Sequence, residues 1–460
     1  MAGKNKPEKP VAQYLARHAE PEASLAERVS GDFGYALVIP SYGELETLFA
    51  VLGSAPGGPA GPVLLVVVLN ARSDSPKAVH EANESVRQRL ARNLPSRVSL
   101  SDDPPMTAHA MPDGMLLLID RALPGHYLPE KQGVGLARKI GNDAALALHA
   151  EGRIASPWIW NTDADVLLPR DYFDQMAGID PGVVCGVYFF DHRLEADPTL
   201  AEAARLYEIS LRYYVLGLAW AGSPYAYESM GSCFAISPEA YAKVRGFPKK
   251  NAAEDFYILD KLAKVGPVAR LDGTPIQLEG RLSDRVPFGT GRALTDMTGS
   301  RRGVASFRLY HPLVFAHLAA WIRVMEAIAR SGGDLNKPMG ELPSGNPFLR
   351  ADLMQEALSQ LGTFEAVREA IGRSHDEATL LRHLHTWFDA FRTLRFVHLL
   401  RDGGLPSLPW RQALSEAPFT NLSGSTEEDT EVLRQALAEE ERKLAGTNVG
   451  VTERLPGTEA

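Results

Sequence analysis

Four short apolar runs set the terms for this chain: YALVIPSY (35–42), VLLVVVLN (63–70), MLLLID (115–120) and WIWNTD (158–163). Each is apolar along its length instead of alternating, the pattern of a strand covered on both faces. VLLVVVLN is the strongest of them by β-branched content. Longer stretches with helical spacing separate them, namely SPKAVHEANESVRQRLARNL (75–94) and GVGLARKIGNDAALALHAEG (133–152), while Gly/Pro-rich SAPGGPAGP (54–62) reads as a linker. Strand and helix in alternation predict an α/β fold, with a mainly parallel sheet and helices on both faces. Such sheets bind ligands beyond the carboxyl ends of their strands. Polar clusters fall there in all four cases: SYGE, NARSD, DR and DAD.

VVCGVYFF (183–190) and SCFAIS (232–237) read as further strands, and RLYEISLRYYVLGLAWAG (205–222) as a helix between them. Beyond about residue 305 strand signals stop, and residues 353–371 and 380–398 carry apolar side chains at helical spacing. The expected organisation is an N-terminal arm (1–30), an α/β catalytic domain (31–304), a C-terminal helical domain (305–445) and a loose tail (446–460). With 460 residues there is room for two or three cores. The balance of 48 basic and 57 acidic residues gives a net charge of −9, which argues against nonspecific nucleic-acid binding. Only two cysteines, Cys185 and Cys233, point to a reducing compartment. MAGKNKPEKPVAQYLARHAEP lacks the apolar stretch of a signal peptide. The longest apolar segment, HPLVFAHLAAWIRVMEAIA (311–329), is interrupted by His317, Arg323 and Glu326, so no transmembrane segment is expected. The expectation is a cytoplasmic protein.

Asp163 and Asp165 flank Ala164, and in extended geometry both carboxylates point to the same side. Held that close they repel, unless a cation or donors sit between them. A hard divalent ion, Mg²⁺ or Mn²⁺, prefers such oxygen ligands and bridges them to substrate phosphates. A surface turn with a helix cap would also carry Asp-x-Asp; the place of this one, after a buried strand and beside three other polar strand ends, favours the metal. Glu254 and Asp255 open the periodic segment FYILDKLAKVG, at a helix N-terminus, where acids also suit the helix dipole.

Taken in order, VIPSYGE, GVGLARKIGNDAAL, NTDADVLLPRDYF and NAAEDFYILDKLAK resemble family 2 glycosyltransferases of the GT-A fold, over roughly residues 33–275. The resemblance implies a Rossmann-like α/β domain with a C-terminal helical extension, a nucleotide-diphosphate sugar as donor and a hydroxyl acceptor. It implies that Pro40, Tyr42, Glu44 and Asn70 lie against the nucleoside and that Arg138 and Lys139 stand near the donor. Asp165 would ligate the metal, with Asp163 at the ribose or the metal's water shell. Asp255 would be the general base of an inverting displacement, supported by Glu254. His311 would complete the metal shell, as a downstream histidine does in some GT-A enzymes. GRLSDRVPFGTGR (280–292), with Arg285, would be a lid over the diphosphate. The aromatics between 207 and 227, Tyr225 and Tyr227 above all, are either core or a sugar-stacking platform. Two departures concern donor choice: the second strand exits through LNARSD instead of an Asp-rich segment, and the helix carries Arg138-Lys139 where the family often has Arg-Asn. A sugar nucleotidyltransferase would need a Gly-rich basic loop after its first strand, which PSYGELETLF does not offer. A noncatalytic nucleotide-sugar-binding scaffold is the alternative from another class.

Overall fold

The computed structural model describes residues 8–94, 96–193, 197–228, 230–280, 290–299, 303–333, 348–422 and 428–451. The chain divides into two compact units, one of residues 1–193 with 229–279 and one of residues 194–228 with 280–460. Residues 194–228, expected within the α/β domain, thus fold with the C-terminal helices.

The first unit runs α1 (Lys9–Arg17), α2 (Glu22–Ala26), β1 (Tyr35–Ser41), α3 (Glu46–Ser54), β2 (Val63–Asn70), α4 (Lys77–Asn93), β3 (Arg97–Asp102), β4 (Pro105–Met111), β5 (Gly114–Arg121), α5 (Gly133–Ala150), β6 (Ile159–Asn161), β7 (Val166–Leu167), β8 (Cys185–Val187) and β9 (Phe190–Arg193). After α6 (Pro198–Trp220), which belongs to the second unit, it resumes with β10 (Phe234–Ile236), α7 (Pro238–Lys243), α8 (Glu254–Leu262), β11 (Val268–Arg270) and β12 (Ile276–Glu279). Its main sheet is ordered β11-β8-β10-β6-β1-β2-β5-β4-β3. The centre, β6-β1-β2-β5, is parallel, as the continuous apolar runs predict. β10 lies antiparallel between β6 and β8, and β3 and β4 extend the other side antiparallel. The β3–β4 hairpin, RVSLSD and PMTAHAM, alternates polar and apolar residues and so carried no continuous apolar run to announce it.

β1 runs through Pro40 to Ser41. The Val38 carbonyl accepts from Thr162 on the β6 side, and the nitrogen of Pro40, two residues on, faces that same side. Registered pairing of β1 with β6 covers only Leu37 and Val38. The missing N–H of Pro40 therefore falls where the ladder has ended.

Helix α5 is buried almost all round, which explains why its sequence is apolar without a clear stripe. It packs on β1 and β2 on one side and on α1 and α2 on another. Two glycines allow the approach. A Cβ on Gly141 would sit 2.4 Å from Val38 Cγ1, and one on Gly135 would sit 2.3 Å from the carbonyl oxygen of Pro248. The Gly135 N–H also donates to Lys250 O at 2.9 Å, so the segment leading into α8 is fastened to the start of α5.

The second unit is helical. Around α6 lie helices Thr290–Gly299, Leu313–Arg330, Ala351–Gln360, Thr363–Arg373, Glu377–Trp387, Ala390–Gly403, Trp410–Glu416 and Thr430–Arg442. Its core gathers Ile209, Phe315, Trp321, Leu358, Phe396 and Leu437. The periodic stretches 353–371 and 380–398 each form two helices. The first breaks at Gly362 with φ +74°, and the second at Asp389, whose carboxylate caps the N–H of Arg392. Arg212 of α6, wholly buried, pairs with Glu208 at 2.7 Å and Glu441 at 2.5 Å. No described helix is long and apolar enough to cross a membrane.

Candidate active site

The site begins at the carboxyl end of β6. The chain leaves the strand through Thr162 and Asp163, and Asn161 inside the strand is locked to α5 by two amide hydrogen bonds with Asn142, of 2.7 and 3.2 Å. One helical turn before Asn142, Arg138 extends its buried guanidinium beneath the strand end. Its Nε donates to Glu254 Oε1 at 3.0 Å, its Nη1 to Thr162 O at 3.3 Å, and its Nη2 pairs with Asp163. Arg138 thus ties three elements together: α5, the β6 exit and the first turn of α8.

Asp163, Asp165, Glu254 and Asp255 all act on one another or on this guanidinium. Burial opposes the charge of Arg138, but Asp163, Glu254 and Asp255 outweigh it and keep the guanidinium protonated. Desolvation raises the pKa of Asp163, with Arg138 pulling the other way and Asp165 and Asp255 adding to the rise. Glu254 is pushed up to about 7, first by burial and then by the charge of Asp255, against the pull of Arg138. Asp163, Glu254 and Asp255 thus act on one guanidinium, and Asp165 acts on Asp163. Asp255 holds its Oδ1 on the N–H of Phe256 at 2.7 Å and receives the hydroxyl of Ser232 on Oδ2 at 3.1 Å. Among the described residues, no three His, Cys, Asp or Glu side chains are already gathered into a metal cluster.

The other expected residues divide. Lys139 turns to the opposite face of α5: its Nζ donates to Asp143 Oδ2 at 2.6 Å, to Tyr14 Oη at 2.6 Å and to His18 O at 2.7 Å. It anchors the N-terminal helices, since an i, i+1 pair on a helix cannot face one way. Asn70 is buried, and its amide donates to Ser41 O at 2.8 Å and Val68 O at 3.2 Å, binding the exits of β1 and β2 together. Pro40 is buried within β1, Glu44 is buried just beyond it, and Tyr42 donates its hydroxyl to Ser75 Oγ at 2.9 Å. The DR cluster that ends β5 is structural: Asp120 pairs with Arg87 at 2.6 Å and Arg121 with Glu22 at 3.4 Å. His311 belongs to the second unit, where its Nδ1 accepts the N–H of Leu313 at 3.2 Å. Arg285 and residues 281–289 of the expected lid lie outside the described residues, while its last residues, 290–292, open the helix Thr290–Gly299 of the second unit. Tyr225 is core of the second unit, its hydroxyl on His385 O at 2.8 Å, so burial and not sugar stacking accounts for it.

Sequence reasoning passed over Asn142, Asn161 and Ser232. The first had a signal: Arg138 with Asn142 and Lys139 with Asp143 are i, i+4 polar pairs on an otherwise apolar helix. Ser232 carried none.

No protein-family model matches the chain. No curated protein matches it either. Among solved structures, the chain is similar to the mannosyltransferase PcManGT from Pyrobaculum calidifontis in complex with GDP-Man and Mn²⁺. That likeness has 16% identity and a TM-score of 0.34, over 94% of this chain and 94% of that one. It is also similar to S. aureus TarS 1–349 in complex with UDP-GlcNAc, with 13% identity and a TM-score of 0.33, over 80% of this chain and 90% of that one.

Proposed function

We propose that this protein is a metal-dependent glycosyltransferase of the GT-A type, moving a sugar from a nucleotide-diphosphate sugar to an acceptor hydroxyl with inversion. The observation that carries the reading is the meeting, at Arg138, of the acidic triplet after β6 with the acid pair that opens α8. The two lie far apart in the chain, and no core-packing requirement brings four carboxylates to one strand end.

The donor set suits Mg²⁺ or Mn²⁺, because Asp163 and Asp165 are hard oxygen ligands one residue apart at the exit of a buried strand. When bound, such an ion neutralises charge building on the departing diphosphate. Arg138 holds Asp163 and Glu254 in place and contributes positive charge beneath the strand end. Asp255 takes the proton of the acceptor hydroxyl as its oxygen attacks the anomeric carbon. Glu254, paired with Arg138, fixes the turn that presents Asp255. The exits of β1 and β2, with Tyr42, Glu44 and Asn70, form the nucleoside end of the reading.

The test is a screen of UDP-, GDP-, ADP- and TDP-sugars for Mn²⁺-dependent hydrolysis and thermal stabilisation. Asp255→Asn is expected to cut turnover by about a hundredfold or more, leaving a residual rate, while donor binding persists. Donor binding without turnover, indifferent to that substitution, would sink the reading in favour of a noncatalytic nucleotide-sugar-binding protein.

A further inference from the structure

Ser232 sits at the end of the short turn Met230–Ser232 that feeds β10, with φ +47°, and it is buried. A non-glycine residue in the left-handed region costs about 1–2 kcal/mol, and persists only where its surroundings over-determine it. Here two anchors do so. On one side, Cys233 places its Sγ 3.2 Å from Thr162 Oγ1, and Phe234 pairs with Asn161 across the β10–β6 ladder. On the other, Ser232 Oγ donates to Asp255 Oδ2 at 3.1 Å. The turn is therefore pinned to the strand that delivers the acid triplet and reaches across to the helix that delivers the acid pair. Ala253, immediately before that pair, is also left-handed, with φ +60°. Strained backbone thus brackets Asp255 from both approaching segments.

We propose that Ser232 is the positioning residue of Asp255, setting its carboxylate against the β6 exit for proton transfer; this rests on the reading given above. With Oδ1 held by the Phe256 N–H and Oδ2 by Ser232, rotation of the carboxylate is arrested and its open lone pairs face one way. During transfer the acceptor O–H proton moves to Asp255 and the acceptor oxygen bonds to the anomeric carbon. The carbon–oxygen bond to the diphosphate breaks, its electron pair leaving on the nucleoside diphosphate. Ser232 keeps its own proton throughout.

Glycine separates this role from a folding role. Ser232→Gly deletes the hydroxyl but relaxes the left-handed backbone, so thermal stability is expected to hold or rise. Turnover in Mn²⁺-dependent hydrolysis of the donor found by the nucleotide-sugar screen is expected to fall on the order of tenfold, with donor affinity unchanged. A double-mutant cycle supplies the second readout: in the Asp255→Asn background, measured by single-turnover hydrolysis, Ser232→Gly is expected to have no further effect. Full turnover in Ser232→Gly, with Asp255→Asn impaired, would overturn the positioning role and leave the glycosyltransferase reading intact. Equal losses from Ser232→Gly in both backgrounds would also overturn it. If no nucleotide sugar is hydrolysed, or Asp255→Asn hydrolyses it at the wild-type rate, the underlying reading fails and this inference with it.

Discussion

Arg138 and Lys139 are consecutive residues of α5 whose cationic heads serve opposite faces of the helix, Arg138 the acids at the β6 exit and Lys139 the buried carboxylate of Asp143. Asp143 also takes the hydroxyls of Tyr14 at 2.6 Å and Tyr241 at 2.8 Å and the N–H of Glu20 at 2.8 Å. Lys139→Met would leave that carboxylate buried without its cation, an expected loss of about 3–5 kcal/mol in urea unfolding. Tyr14→Phe removes one of several donors and is expected to cost about 1–2 kcal/mol. Equal effects from the two variants would contradict this ranking.

Arg138→Lys keeps the charge and loses the fork. An ammonium cannot hold Glu254 through one nitrogen and Asp163 through another in the same plane. The expected result is a folded protein with lowered Tm and donor hydrolysis reduced at least tenfold. Wild-type hydrolysis in this variant would show that the cation, and not the fork, is what the site requires.

Gly135→Ala tests the seat of the loop that leads into α8. Alanine improves helix propensity by about 1 kcal/mol, but the new Cβ meets backbone atoms, Pro248 O at 2.3 Å and Lys250 N at 2.6 Å, which no rotamer change can clear. Overpacking of this kind costs about 1–3 kcal/mol, so the net change in chemical denaturation is expected to be destabilising. A more stable Gly135→Ala would mean the loop yields freely.

His385 of the second unit makes a defined contribution to the pH dependence of stability. Burial pushes its pKa down to about 4 from an ordinary 6.5, and its Nδ1 has no hydrogen-bond partner among the described residues. Between pH 6.5 and about 4 the unfolded chain binds a proton that the folded one refuses, so stability is complete above that window and declines as pH falls through it. The full effect is about 3 kcal/mol. Urea unfolding of wild type and His385→Gln at pH 7 and pH 5 checks it: the substitution is expected to remove an acid-side loss of about 2 kcal/mol, and an unchanged pH 7-to-5 difference would refute the assignment.

Much of the first unit was legible because its signals are local. β2, β5 and α5 fall within a residue or two of the apolar runs and helical stretches, since each is covered on both sides and its burial is written in every position. The site was legible where residue type and strand end coincide, as at Asp163 and Asp165. It was not legible where neighbours along a helix part company, as Lys139 does from Arg138, nor where strain is the signal. Ser232 reads as an ordinary serine until its φ and its partner are known. The helix breaks at Gly362 and Asp389 were hidden because apolar spacing continues in phase across them.

β10 lies between β6 and β8, although it follows both in the chain. As the polypeptide leaves the ribosome, β8 emerges with no strand to pair with: both its partners, β10 and β11, are made later, after the whole of α6. The acids of the β6 exit and of α8 therefore cannot meet while translation is short of residue 255, and a nascent chain arrested earlier would hold one half of the reaction centre without the other.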